Sequence, residues 1–228
     1  MLDSAQLRST LALTVLLSAQ VAQAVVLAPG EVAPLPGTSV AAQPQLAGFV
    51  IEDRLQAFTM STPTGLVTGQ IQSRVVRSDL DGTLDFYWRV MNDASSSGEI
   101  AFFRLGEFHA PEFDANWRID GVGDVSPVQA YRFDSPLESY VNFSFLRTNP
   151  VGAPSGIAPG QSSMFLLLDT TARFYDANSL MDVAWFGTSN VSDLHMTFGP
   201  SPVPEPSSYA MLALGLAAIG AAARRRRD

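Results

Sequence analysis

The sequence contains no cysteine and no lysine, and only two histidines, His109 and His195. Without cysteine there is no disulfide framework, no thiolate metal site and no cysteine nucleophile. All 14 basic residues are arginine, which removes Schiff-base chemistry and any phosphate-binding loop that depends on a lysine. Positive charge is scarce in the body of the chain. Between residues 25 and 207 nine arginines stand against twenty carboxylates, a net charge of −11. Such a surface repels a phosphate backbone, so nucleic acid is not an expected partner, and the acidity reads as a solvated face. Long apolar runs are confined to the two ends.

At the front, residues 1–24 read as a secretory signal peptide. Arg8 supplies a thin positive region, and Leu11–Leu17 is an apolar stretch too short to span a bilayer. Ala22-Gln23-Ala24 then offers the small-x-small pattern that signal peptidase accepts, with cleavage expected after Ala24. Residues 25–45 are rich in Pro, Ala and Gly and read as a loose leader. A folded domain is expected over 46–200.

At the back, residues 201–228 have three physical parts in order. Pro204 and Pro206 flank Glu205 and keep the segment extended and accessible. An apolar stretch of about 208–223 follows. As a helix from Ser207 to Ala223 it would be about 25 Å long, slightly short for a bilayer core. Arg224, Arg225, Arg226 and Arg227 close the chain before Asp228, and an arginine cluster stays on the cytoplasmic side. This arrangement resembles the PEP-CTERM sorting signal: a Pro-Glu-Pro motif, a short transmembrane helix and an arginine tail. The resemblance covers about the last 26 residues. It implies that Pro204, Glu205 and Pro206 are recognised by exosortase, a membrane-embedded processing enzyme, and that the arginines set topology and retention. It also implies a transient stay in the inner membrane with the C-terminus cytoplasmic, and a final site at the cell surface or in an extracellular matrix. The family is associated with exopolysaccharide and biofilm.

Between these ends the dominant period is two. Leu84, Phe86, Trp88 and Val90 share one face of Thr83–Val90, opposite Thr83, Asp85, Tyr87 and Arg89. Tyr140–Phe145 repeats the scheme, and Gln129–Phe133 and Leu194–Phe198 do so more weakly. Met164–Leu168 is a continuous apolar run, as a central strand covered on both faces would be. Turn signals punctuate these runs at Asp81-Gly82, 92–98, Asp120-Gly121 and 150–160. Only Thr171–Leu180 admits a short turn of helix. The fold class expected is all-β, an antiparallel sandwich or jelly roll of about eight to ten strands.

No catalytic constellation emerges. Asp79-Leu80-Asp81-Gly82-Thr83 resembles the nucleophile loop of haloacid dehalogenase-type phosphatases, but the lysine and the later aspartate pair of that family are missing. Asp81-Gly82 is read instead as a type I′ hairpin turn between Gly69–Ser78 and Thr83–Val90. A calcium reading would cluster Asp79, Asp81 and Asp85. Glu107, His109 and Glu112, with His195 folding in, are thin material for a metal. No metal site, catalytic residue or cofactor is therefore assigned. Among the aromatics Tyr87, Trp117, Tyr131, Tyr140 and Trp185, the pair Trp117 and Trp185 is the preferred sugar-stacking platform, while Trp88 is expected in the core. The leading expectation is a non-enzymatic surface or matrix protein associated with exopolysaccharide. A carbohydrate-binding module is the alternative, and a secreted glycoside hydrolase with spatially paired carboxylates is the third.

Overall fold

The computed structural model describes residues 25–134, 140–148, 150–186, 190–201, 212 and 214–216. Among these, thirteen strands and one 3₁₀ turn form: β1 (Val32–Pro34), the turn Pro44–Leu46, β2 (Gly48–Thr62), β3 (Gly65–Ser78), β4 (Leu84–Asn92), β5 (Phe102–Gly106), β6 (Phe113–Trp117), β7 (Gln129–Arg132), β8 (Val141–Ser144), β9 (Arg147–Thr148), β10 (Pro154–Ser155), β11 (Leu166–Thr170), β12 (Tyr175–Ala184) and β13 (His195–Pro200). Eleven of them make two antiparallel sheets. One has five strands in the order β2-β3-β4-β11-β6, the other six in the order β1-β7-β8-β5-β12-β13, and β9 and β10 pair separately. The all-β expectation holds.

The sheets face each other because alternate side chains on each strand are apolar and must be buried together. Phe86 and Trp88 of β4 meet Phe103 of β5 and Phe108, with Trp88 and Phe103 centroids 5.8 Å apart across the two sheets. These rings, with Phe143 and Phe145, are fully buried, each contributing about 1.5–3 kcal/mol by leaving water. Trp88 lies in the core as expected. Its indole N–H donates to Thr197 Oγ1 at 2.8 Å, and that hydroxyl is 3.1 Å from Ser73 Oγ, so the polar edge of the ring is satisfied inside. β11 is the central strand its apolar run suggested: Leu166 and Leu168 enter the main core, and Leu167 enters a second cluster on the opposite face.

Three local expectations change. Residues 25–45 are not a loose leader but part of the sandwich. Val25 and Leu27 hydrogen-bond along β6, β1 pairs with β7, and Leu27, Ala33 and Leu35 are buried. Prolines do not prevent this, because β1 is an edge strand and only the side facing its neighbour needs amide protons. Residues 36–47 then return as a strap over the outer face of the five-stranded sheet. Gly37 N donates to Asn116 Oδ1, Thr38 N to the Trp117 carbonyl and Val40 N to Asp120 Oδ2, while the Ala47 carbonyl accepts from Asp79 N. Beneath the strap, Leu46 closes over Val76, Tyr87, Phe165 and Leu167.

The second change concerns the turn after β3. Asp79–Gly82 is a four-residue loop in which Gly82 N bonds to the Ser78 carbonyl and Ser78 N to the Thr83 carbonyl. Gly82 alone in the loop has positive φ, at 73°, whereas a type I′ turn requires it at both central residues. Asp81 instead accepts from the amide and hydroxyl of Thr83, at 3.0 and 2.6 Å. Third, Thr171–Leu180 gives no helix. Its second half opens β12, which is held by β13 on one side and β5 on the other, and pairing on both edges overrides the local preference.

Candidate functional site

The outward face of the six-stranded sheet carries a row of side chains set opposite one another by strand register. Tyr131 of β7 pairs with Asn142 of β8, Asn142 with Arg104 of β5, and Arg104 with Asp182 of β12. Each lies between inward residues that anchor its strand in the core: Ala130, Val141, Phe143, Phe103, Leu105, Met181 and Val183. The position of these polar and aromatic groups follows from period-two alternation. Arg104 and Asp182 form a bidentate pair, Nε to Oδ1 at 2.6 Å and Nη2 to Oδ2 at 2.5 Å. The Asp182 hydrogen bond raises the Arg104 pKa further, so the guanidinium is charged and largely neutralised on the spot.

Aromatic rings stand at one end of this row. Tyr131 and Phe133 are 4.3 Å apart at their centroids, and Phe133 and Tyr140 are 6.2 Å apart edge to face. The Tyr140 ring lies directly over Gly106, where a Cβ would sit 2.6 Å from it. The result is a groove of about 400 Å³ whose lining includes Arg104, Asn142, Asp182, Phe133, Tyr140 and Leu194.

The outward face of the five-stranded sheet has a different chemistry. Asp169 of β11 is paired in register with Asp85 of β4 on one side and Asp114 of β6 on the other. Asp85 is fully buried, and no N–H or O–H of a described residue donates to either of its oxygens. Burial, then the adjoining Asp169 charge, pushes its pKa up to about 9. Burial and the neighbouring Asp169 thus favour the neutral carboxylic acid of Asp85 at neutral pH. Burial raises Asp169 as well, and raises Asp114 with help from Asp169, while Gln45 of the strap donates to Asp169 Oδ2 at 3.3 Å. Asp81 is shifted the other way by its hydrogen bonds from Thr83. Asp81, Asp114 and Asp169 border an open depression of about 490 Å³. Asp79, Asp81 and Asp85 do not form the imagined calcium cluster: Asp85 is sealed in while Asp81 stays exposed and engaged with Thr83. Among the described residues no group of three or more His, Asp or Glu side chains is arranged to hold a metal ion. Glu107 and His109 form an exposed pair at 3.0 Å, and His195 lies on β13 opposite Met181.

The structure does not bring Trp117 and Trp185 together. Trp117 ends β6 in the five-stranded sheet, half-buried, its N–H donating to the Leu35 carbonyl at 3.1 Å. Trp185 follows β12 in the other sheet and packs against the core and Phe186. The two indoles thus stand in separate surroundings, with no ring contact to each other. Tyr87 is buried under the strap. Tyr131 and Tyr140, by contrast, do lie together. Sequence reasoning missed Arg104, Asn142, Asp182 and Phe133, whose only signal was an outward position in alternating runs.

The described body ends with β13 and Ser201. Residues 202–227 match the family model of the PEP-CTERM protein-sorting motif. The chain carries a PEP-CTERM sorting signal. The match encloses Pro204, Glu205 and Pro206 and the arginines Arg224 to Arg227, and it marks the protein for export and sorting by exosortase. These residues, like Ala22 and Ala24 of the signal-peptide reading, lie outside the described residues. Among the described residues no helix is long and apolar enough to cross a membrane. No curated protein and no solved structure matches the chain.

Proposed function

We propose that this is a non-enzymatic protein of the cell surface or extracellular matrix, delivered by signal peptidase and exosortase and associated there with exopolysaccharide through its sandwich. The observation that carries this reading is the PEP-CTERM motif at 202–227, directly behind a folded body. The chemistry of the outer groove supports it. Its ionic groups are already paired with each other, which suits holding a ligand better than moving protons. The PEP-CTERM stretch passes through the inner membrane only transiently in this account, with the arginine tail on the cytoplasmic side.

The test is fractionation of cells producing the chain with Pro204, Glu205 and Pro206 replaced by alanine. Unaltered protein is expected trimmed at both ends and recovered with surface polysaccharide. The triple variant is expected to accumulate untrimmed at its C-terminus in the inner membrane. Equal recovery of both forms in the matrix fraction would contradict the proposal.

A further inference from the structure

We propose that the groove on the six-stranded sheet binds a neutral glycan strand laid across β7, β8, β5 and β12. The inference rests on the exopolysaccharide reading above and names the site and ligand class. Its first support is the aromatic end of the groove. Phe133 is 38% exposed and Tyr131 packs against it at 4.3 Å with the rings inclined by 56°, so apolar ring surface faces solvent on a sheet whose buried face already fills the core. Pyranose rings present an apolar face of C–H groups that packs on such a surface.

The second support is polar. The Asn142 side chain makes no hydrogen bond to another described residue, and Arg104 Nη1 is not used in the bond to Asp182. An amide with both a donor and an acceptor, next to a guanidinium N–H, matches the alternating donor and acceptor character of sugar hydroxyls. Register places these groups on neighbouring strands, so the row runs across three spacings of about 4.8 Å each, long enough for a short oligosaccharide.

The third support is charge. Arg104 and Asp182 cancel each other within the groove, and the body around them carries a net −11. An anionic polymer is repelled by such a body, whereas a chain of uncharged hexoses is not.

The experiment uses the full exported chain in calorimetric titrations with a panel of neutral oligosaccharides (glucans, mannans and galactans) and with a polyuronate. Binding to at least one neutral member is expected, with weak dependence on salt. Asn142→Ala and Phe133→Ala are each expected to lower that affinity about tenfold. Gly106→Ala keeps every polar group but displaces Tyr140, and is expected to weaken binding as well. Trp117→Phe, on the other sheet, is expected to leave it unchanged. Unchanged far-ultraviolet circular dichroism in each variant separates a lost ligand from a lost fold.

The inference is overturned if no neutral sugar binds, if the polyuronate binds better, or if the groove variants bind like the parent. It is also overturned if those variants alter self-association in light scattering and leave sugar binding alone, which would assign the groove to a protein partner. Protein recovered in the matrix without neutral-sugar binding defeats the groove alone. Neutral-sugar binding by a chain that never leaves the cytoplasm defeats the surface reading alone.

Discussion

The two outward faces of this sandwich are built from the same lattice and behave as opposites. On the five-stranded sheet the strap of residues 36–47 lies over the strands, buries Tyr87 and Leu167, and traps Asp85 beside Asp169. On the six-stranded sheet Phe133, Asn142, Arg104 and Asp182 bound an open groove, and its charges are paired by bidentate contact. A covered polar face has to resolve its charges internally, here by keeping a proton on Asp85. An open one can leave hydrogen-bonding groups for a ligand. The difference is made by a segment that resembles a linker in composition.

The comparison can be broken at several depths. The largest effect is expected from Phe86→Ala, which removes a fully buried ring packed on Phe108 at 5.3 Å. It should cost about 3–5 kcal/mol in denaturant unfolding, and both faces should fail in one transition. Asp85→Asn comes next and acts on the covered face alone. The folded-state pKa of Asp85 is raised to about 9 from 3.8. Its favourable contribution is therefore complete below pH 4 and is lost progressively as pH rises from there through about 9. Asparagine keeps a donor for Asp169 without that dependence. The variant should gain stability over the parent progressively from pH 4 to pH 9, read from melting temperatures. A gain that does not vary with pH would mean that Asp85 is ionised in the fold.

A smaller effect is expected at the strap. Gly37 has φ 83°, and a Cβ there would lie 2.6 Å from the Trp117 ring. Gly37→Ala should cost about 1–3 kcal/mol and raise hydrogen exchange at Thr38 and Ile119, whose amides tie the strap to β6. Exchange in β5 and β8 should not change. Least of all, Asn142→Ala should alter stability by under about 0.5 kcal/mol, as fits an outward residue whose side chain bonds to no other described residue. A large loss there would remove the contrast between the faces.

Much of the sandwich was legible in the sequence, because alternation in Thr83–Val90 and the apolar run at Met164–Leu168 report which faces meet a core. What stayed hidden was set by pairing between distant strands. Asp85 stands on the outward face of its alternating run, but nothing in the sequence joins it to Asp114 and Asp169, which only the order β4-β11-β6 lines up with it. The same holds for Arg104, Asn142 and Asp182. The strap was misread because prolines at an edge look like prolines in a linker, and the turn at Asp79–Gly82 because its type depends on φ at Asp81 rather than on the Asp-Gly pair. Trp117 looked exposed from its polar neighbours, yet its N–H is held by Leu35 of the segment taken for a leader.

The most direct test of the contrast between the faces is hydrogen exchange of the exported chain with and without a neutral oligosaccharide that it binds. The account predicts added protection in β5, β7, β8 and β12, with β4, β6, β11 and the strap unchanged. Protection confined to the depression bordered by Asp81, Asp114 and Asp169, or spread equally over both sheets, would contradict it.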